Sequence, residues 1–367
     1  MNLGMGDDLS ETTSNTDEGM DDDDSSFGET ESDEHREPDV SEVRKSELIK
    51  EHKKAASRIP APSSEFSELI HSPVFVDKSS VIAAIMEPGA SSFLVTAPRG
   101  CGKSSIAQML KTFLTIQVTE DGIPISKSLE ELYHGEFDQG GNPIDENGEI
   151  IPNRISAKEL RMRPVKDTSH YELFTNPIPG IPGQPRYLSI SKDENMMTGH
   201  LGKYPVVYVN LTCGETDSYE NLLRSVQSAI SKSYKMHAYL IDSKKLLRGD
   251  RNACKQWCDA EKCHEMSEER TRVTLKNLTR YLYKHFNRRC YVIVDEIDAI
   301  AMSCLFSVKD DDGVFEKITR FITSVMYALI KSNNYIRSGF LTGITQIVTV
   351  DNVLSRRFLQ SESFFPY

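Results

Sequence analysis

The sequence predicts an α/β fold in which helices cover both faces of a parallel sheet. Four short runs of apolar residues, rich in β-branched and aromatic types, alternate along the chain with segments whose apolar residues recur at helical spacing. The chain is 367 residues long, which is ample for a sizeable core. Strands separated by helices form parallel sheets, because each helix carries the chain back to the start of the next strand. We therefore expect a three-layer α/β sandwich.

The predicted elements follow one another in regular order. The strands are expected at residues 93–96, 205–211, 290–294 and 335–341. Helical patterns of apolar residues follow the first two strands, precede the third and precede the fourth, at residues 104–116, 219–230, 275–286 and 315–325. This order predicts crossover connections between parallel strands.

One long segment interrupts the alternation. Residues 119–204, between the first helix and the second strand, are rich in Gly, Pro, Asp and Asn, as in GNPIDENGEIIPN and NPIPGIPGQP. Loops of such length are uncommon inside a compact domain and are usually functional or disordered. We expect residues 119–169 to be an insertion loop in a domain that spans residues 59–367.

The negative charge of the chain is concentrated near its start. The sequence has 55 Asp and Glu against 43 Lys and Arg, a net charge of −12, and residues 1–58 alone carry −11. This acidic, Ser-rich segment has too few apolar residues to form a core, so we predict a disordered tail that ends in a basic linker at residues 43–58. The remaining chain is nearly neutral, so its charge neither excludes nor favours nucleic acid.

Several classes of protein are excluded by composition. Apolar runs are far shorter than the roughly 18 residues that a membrane helix requires, and the start of the chain has no apolar secretory signal. Seven cysteines, an odd number in a chain of this length, do not suggest a disulfide framework. We expect an intracellular protein in a reducing compartment, the cytoplasm or the nucleus, with no membrane partner.

A glycine-rich segment follows the first strand and opens the first helix. It fits the phosphate-loop pattern G-x-x-x-x-G-K-[ST], called Walker A, except that alanine occupies the first position. In such loops, backbone N–H groups and the helix N-terminus cradle phosphates, the lysine reaches the β- and γ-phosphates, and the last hydroxyl ligates Mg²⁺. The candidate nucleotide-binding residues are Ala97, Pro98, Arg99, Gly100, Cys101, Gly102, Lys103, Ser104 and Ser105.

A second motif supports this interpretation. The third strand ends in the paired carboxylates Asp295 and Glu296, and ligands in parallel α/β sheets bind where strands end. Asp295 is therefore expected to hold Mg²⁺ together with Ser104, as in a Walker B motif. Glu296 suits activation of an attacking water, as a general base or as a positioning group.

Polar residues also follow the fourth strand. Thr342 is the first candidate for contact with the γ-phosphate or the attacking water, followed by Thr345 and Gln346. The alternative is an ordinary turn around Gly343, since Thr and Gly are common in turns. Arg356 and Arg357, further along, are either surface residues or charges supplied to the γ-phosphate of a neighbouring copy in a homo-oligomer.

Taken together, these motifs resemble those of the predicted AAA-ATPase-like family. The resemblance rests on VDKS at 76–79, PRGCGKS at 98–104, GKYPV at 202–206, IVDEID at 293–298 and TGIT at 342–345, and it covers about residues 66–118 and 170–367. It implies a P-loop NTPase fold of the AAA+ type, ATP and Mg²⁺ as cofactors, and Glu296 as the catalytic acid. It also implies that Asp77 and Lys78 help place the nucleotide or the first helix.

The sequence departs from the family at several positions. Relatives often have RPRRFGKS where this chain has Ala97, Gly100 and Cys101, and many continue into a helical lid and a nuclease-like domain, so the chain resembles a truncated relative. The leading hypothesis is a domain that binds and hydrolyses ATP, acting as a switch or motor on an unknown protein partner. The alternatives are a non-hydrolysing nucleotide-binding scaffold and the ATP-regulatory half of a nuclease.

Overall fold

Four parallel strands form the sheet at the centre of the computed structural model, which describes residues 65–72, 75–86, 92–179, 185–213, 218–307, 313–331 and 333–345. The strands lie in the order β1-β4-β3-β2, and every neighbouring pair is parallel. The predicted α/β fold is therefore confirmed. The strands are β1 (Ser92–Thr96), β2 (Val206–Asn210), β3 (Cys290–Asp295) and β4 (Ile336–Gly343).

Helices make up most of the remaining described structure. Several begin at a hydroxyl that caps the first turn, as Ser218 does for the Asn221 N–H. They are α1 (Phe66–Leu69), α2 (Val81–Ile85), α3 (Lys103–Leu114), α4 (Lys127–His134), α5 (Ala157–Met162), α6 (Ser169–Thr175), α7 (Glu194–Gly199), α8 (Tyr219–Lys235), α9 (Arg248–Cys258), α10 (Glu268–Phe286), α11 (Ala299–Ser307) and α12 (Val314–Met326). Short 3₁₀ turns occupy Ser189–Lys192, Ala238–Ile241 and Lys262–Glu265, and a π-helical turn occupies Tyr327–Lys331.

The sheet has a hydrophobic cluster on each face, as a three-layer sandwich requires. Side chains along a strand point alternately to the two faces, and in β2 Val206 and Tyr208 belong to one cluster whereas Val207 and Val209 belong to the other. The first cluster contains the apolar side of α3, together with parts of α1, α2, α6 and α7. The second contains the apolar sides of α8, α10 and α12.

The parallel arrangement brings the functional candidates to one edge of the sheet. β4 lies between β1, which leads into the glycine-rich loop, and β3, which ends at Asp295. The register pairs Thr96 with Gly343 and Asn210 with Asp295. All four strands therefore end at the same edge, where ligands bind in folds of this class.

The long segment before β2 differs from the loop expected from its composition. Its described residues contain α4 to α7, a 3₁₀ turn and several isolated bridges. Leu129, Leu132 and Leu160 are buried in the same core cluster as α8 and α10. Short amphipathic helices separated by Gly and Pro turns hide their periodicity from a sequence reading. That residues 119–169 are an insertion relative to other proteins stays a prediction.

The structure also differs from the prediction at the end of the fourth strand. β4 continues through Thr342 and Gly343, which the sequence placed after the strand, because both residues still pair with β1. No helix among the described residues has the length and apolar character needed to cross a bilayer. The predicted tail and linker at residues 1–58, together with Gln346, Arg356 and Arg357, lie outside the described residues.

Candidate nucleotide site

The loop between β1 and α3 has the backbone conformation of an anion cradle. Gly100 and Gly102 have φ values of +83° and +79°, which side-chain-bearing residues rarely adopt. The N–H groups of residues 99–102 make no short hydrogen bond to an acceptor in the described part of the chain. Consecutive free N–H groups at a helix N-terminus create a concave positive site. These N–H groups can therefore donate to a phosphate group without giving up another hydrogen bond.

Two lysines are engaged with this loop. The buried Lys103 Nζ donates to the carbonyl oxygens of Ala97 at 2.6 Å and Pro98 at 2.9 Å. Lys78 Nζ donates to the carbonyl oxygen of Cys101 at 2.9 Å. These contacts fix the loop from both sides and bring two positive charges to it. Arg99 is exposed, whereas Ser104 and Ser105 are half-buried at the start of α3.

Asp77 occupies a different position from Lys78 although the two are adjacent in sequence. Its carboxylate accepts from Ser189 N at 2.7 Å, Ser189 Oγ at 2.8 Å and Ser79 N at 2.8 Å. Burial acts to raise the pKa of Asp77, but these hydrogen bonds outweigh it and the pKa is lowered. Asp77 therefore connects the segment before α2 to the 3₁₀ turn, and a nucleotide contact by Asp77 stays a prediction.

Asp295 is fully buried at the end of β3, and its carboxylate is held by several donors. Thr342 Oγ1 donates to Oδ1, the Glu296 N–H donates to the same oxygen at 3.1 Å, and Tyr208 OH lies 3.4 Å from Oδ2. Burial, and then the Asp295 carboxylate, raise the pKa of Tyr208, which therefore remains a donor. Gln108 Nε2 of α3 donates to Tyr208 OH at 3.1 Å. A chain of hydrogen bonds thus links Asp295 to the helix that the loop begins.

Glu296 has a strained backbone and a fixed side chain. Its φ of +54° lies in the left-handed region, which is uncommon for residues other than glycine. Such strain persists only where the surroundings over-determine the conformation, and it concentrates at functional sites. Thr212 Oγ1 lies 2.9 Å from Glu296 Oε2 and also contacts Asn210 Oδ1, so its one proton is shared between these two acceptors, and Thr212 N donates to Asn210 Oδ1 at 2.8 Å. The end of β2 therefore orients the carboxylate that follows β3.

The end of β4 combines Thr342 with a capped turn. Thr342 is fully buried, and its hydroxyl is directed at Asp295 while it accepts from the Glu296 N–H at 3.3 Å. The buried Asp298 accepts from Ile344 N at 2.9 Å, Thr345 N at 2.6 Å and Thr345 Oγ1 at 2.8 Å. The hydroxyl of Thr345 is thus occupied by Asp298, and the substrate contact predicted for Thr342 stays a prediction.

The residues present fit a magnesium ion that arrives with a nucleotide. Among the described residues, no group of three or more His, Cys, Asp or Glu side chains is arranged to hold a metal ion. Mg²⁺ commonly binds through one or two protein ligands together with substrate phosphates and water. Ser104 at the loop and Asp295 at the same sheet edge match that sparse donor set.

Some residues of this site were not predicted from the sequence. Asn210 and Thr212 contact Glu296 directly or through one residue, and Tyr208 with Gln108 supports Asp295. Polar residues at the carboxyl end of a parallel strand face the site, and this holds for Asn210 and Thr212 after β2 as it does for the candidates at the ends of β3 and β4.

Part of the chain matches a known protein family. Residues 186–353 match the model of the AAA-ATPase-like family, described as a predicted AAA-ATPase. That segment includes β2, β3, β4 and the Asp295–Glu296 pair, and the glycine-rich loop lies upstream of it. Searches of curated proteins and of solved structures returned no match. The resemblance predicted from the motifs is confirmed over residues 186–353, which are similar to the AAA-ATPase-like family, and this similarity supports a nucleotide-binding, ATPase-like role.

Proposed function

We propose that this domain binds ATP with Mg²⁺ and hydrolyses it, so that the nucleotide cycle changes the state of a partner. The observation that carries the proposal is the meeting of two arrangements at one sheet edge. A loop with free N–H groups and two lysines follows β1, and a buried Asp295 with a strained, oriented Glu296 follows β3. Both are what phosphoryl transfer by a P-loop protein requires.

The loop residues bind and orient the triphosphate. The N–H groups of residues 99–102 donate to phosphate oxygens, and the N-terminus of α3 adds its positive dipole. Lys103 exchanges its bonds to the Ala97 and Pro98 carbonyls for phosphate oxygens of greater negative charge. Lys78 keeps the loop in place through the Cys101 carbonyl.

The carboxylates of Asp295 and Glu296 act on the metal ion and on the attacking water, respectively. Mg²⁺, when bound, neutralises charge that develops on the phosphates, and Ser104 with Asp295 would hold it. Glu296 orients a water in line with the terminal phosphate and accepts a proton from it. Thr212 and Asn210 set the direction of the Glu296 carboxylate. Thr342, through its hydrogen bond to Asp295, is a positioning residue in this scheme.

A second candidate is a scaffold that binds nucleotide without hydrolysing it. The observation in its favour is that Lys103 Nζ, buried within the loop, already has two carbonyl partners, and that Ala97 replaces the first glycine of the pattern. Under this alternative the loop would hold phosphate through its N–H groups, and Glu296 would have no effect on ATP.

Affinity for ATP tests the shared part of both candidates. We expect Lys103→Ala to weaken ATP binding by at least about tenfold in a calorimetric titration with Mg²⁺, because a charge-assisted hydrogen bond contributes about 1.5–3 kcal/mol. Lys111→Ala is the matched control, since Lys111 lies on the same helix but pairs with Glu65 at 3.0 Å. Equal affinity in the wild type and Lys103→Ala would remove Lys103 from nucleotide binding and leave only the loop N–H groups, and the absence of measurable ATP binding by the wild type would contradict both candidates.

Single-turnover hydrolysis then separates the two candidates. With saturating protein over ATP, Glu296→Gln should release phosphate about 10²–10⁴ times more slowly than the wild type, the range typical of lost general-base catalysis. Its affinity for ATP should be retained. Equal rates close to the uncatalysed background, combined with tight ATP binding, would favour the scaffold.

A further inference from the structure

A polar cavity lies beside the candidate nucleotide site, between α8 and the carboxyl end of β2. Its volume is about 480 Å³, within the range of small-molecule sites. One side of α8 supplies Arg224, Ser228 and Lys232, because residues four apart fall on the same side of a helix. Its lining residues are Asn210, Thr212, Arg224, Ser225, Ser228 and Lys232, with Ala229 and His264.

The described residues that line the cavity carry positive charge, and no carboxylate among them balances it. No Asp or Glu is among the described residues that line the cavity, and neither Arg224 nor Lys232 forms an ion pair with a carboxylate in that part of the chain. His264 Nε2 lies 3.4 Å from Ser228 Oγ, so the imidazole faces the hydroxyl on the same wall. A concave site with two uncompensated positive charges attracts anions and repels cations.

The chemistry of the lining narrows the class of anion. An arginine offers a planar fork of donors, a lysine offers a point charge, and hydroxyl and amide groups complete the coordination, which is the usual set for phosphate. Ala229 is the apolar residue in the lining, and no Phe, Tyr or Trp is among the described residues that line it. We propose that this cavity binds a phosphate group, carried by a small phosphorylated molecule or by a nucleic-acid backbone.

The cavity is separate from the glycine-rich loop. β2 is the edge strand, whereas β1, which leads into the loop, is the opposite edge strand of the four. Three strand spacings of about 4.8 Å separate them, roughly 14 Å. Thr212 contributes to the cavity and also contacts Glu296, so the two sites are neighbours without sharing their cations. Phosphate binding in the cavity is therefore independent of Lys103.

The experiment uses the full chain carrying Lys103→Ala, so that failure of the ATP proposal does not affect the result. The probe is inorganic pyrophosphate in the presence of a chelator, and the readout is the rise in Tm with probe concentration. We expect a concentration-dependent rise, and an apparent affinity about tenfold lower when Arg224→Ala or Lys232→Ala is added, in line with the loss of a charged hydrogen bond. Arg320→Ala is the control, because Arg320 is exposed on α12 and pairs with Glu316.

A second arm identifies the source of the phosphate. A fluorescein-labelled single-stranded oligonucleotide is titrated into the same variants, with fluorescence anisotropy as the readout. Loss of oligonucleotide binding in Arg224→Ala without any pyrophosphate effect assigns the cavity to a nucleic-acid backbone. The reverse result assigns it to a small phosphorylated ligand. Dependence of neither probe on Arg224 and Lys232, with normal thermal unfolding of both variants, would overturn the proposal.

Discussion

Thr212 Oγ1 donates a hydrogen bond of 2.9 Å to Glu296 Oε2, which joins the segment after β2 to the residue after β3. Thr212 is in turn held by Asn210, whose side-chain oxygen accepts from the Thr212 N–H at 2.8 Å. Because Asn210 is in register with Asp295, this contact forms across one strand spacing. The orientation of Glu296 therefore depends on a neighbouring strand as well as on its own strained backbone.

The first prediction concerns this contact. Thr212→Val removes the donor but keeps the shape of the side chain, so the Glu296 carboxylate loses its restraint. We expect kcat for ATP hydrolysis to fall about tenfold, since small misplacements of a catalytic group are costly. The affinity for ATP should be unchanged in calorimetry, because Thr212 has no part in the loop around Lys103.

The hydroxyl itself is tested by a conservative replacement. Thr212→Ser retains a donor at the same place and should restore kcat to within about twofold of the wild type, as expected when one hydrogen bond carries the effect. A rate for Thr212→Val equal to that of the wild type would show that Glu296 does not depend on this contact.

The second prediction concerns stability at the end of β4. Thr342→Val leaves Asp295 without its hydroxyl donor in a fully buried position. Oδ1 then keeps only the Glu296 N–H, and the loss of a buried hydrogen bond to a charged group should lower the free energy of unfolding by about 1–3 kcal/mol, although valine is the more apolar residue. The urea midpoint measures it, and Thr342→Ser is the matched control. An unchanged or higher midpoint for Thr342→Val would contradict the assignment.

The third prediction isolates the backbone strain at Glu296. Glu296→Gly and Glu296→Ala both remove the carboxylate, but only alanine keeps a Cβ at a φ of +54°. Glu296→Gly should unfold at higher urea than Glu296→Ala, by about 1 kcal/mol in the free energy of unfolding. The opposite order is expected for Ala253→Gly in α9, where glycine is unfavourable. Equal stability of the two Glu296 variants would show that the strain is relieved elsewhere.

The fold was predictable because its signals are local. The runs around Val207 and Val292 read as buried strands, and the periodic apolar residues of α8 and α10 read as helices, without knowledge of their partners. The phosphate loop and the Asp295–Glu296 pair were predictable because each is a short motif on a known type of strand end. Their convergence follows from the parallel topology alone.

The features that the sequence did not predict depend on contacts between segments that are distant in the chain. Nothing in the sequence pairs Asp77 with Ser189 or Gln108 with Tyr208, which are about a hundred residues apart and meet only through the fold. The short helices α4 to α7 have too few turns to show a helical period, and the Gly and Pro residues between them are typical of a loop. The φ of Glu296 is likewise set by its surroundings and has no signature in sequence.

The last prediction is a pH dependence that originates in a buried histidine. His237 is enclosed between β2 and the core, with Nε2 at 3.0 Å from the Val206 carbonyl oxygen and Nδ1 at 2.9 Å from Tyr239 OH. Burial lowers the pKa of His237 from its ordinary 6.5 to about 4. The imidazole is thus neutral in the folded protein at pH 7 and stays so well below that pH.

The sign of the effect follows from proton counting. Between pH 6.5 and about 4 the unfolded chain binds a proton at His237 that the folded chain does not, so stability falls as the pH falls through this window. At pH 5 this one group should lower the free energy of unfolding by about 2 kcal/mol relative to neutral pH. His237→Gln should therefore show a smaller loss between pH 7 and pH 5 in urea titrations, whereas the exposed His71→Gln should retain the full loss. An identical loss in His237→Gln and the wild type would mean that other groups, such as the half-buried His200 with a pKa of about 4, account for the acid sensitivity.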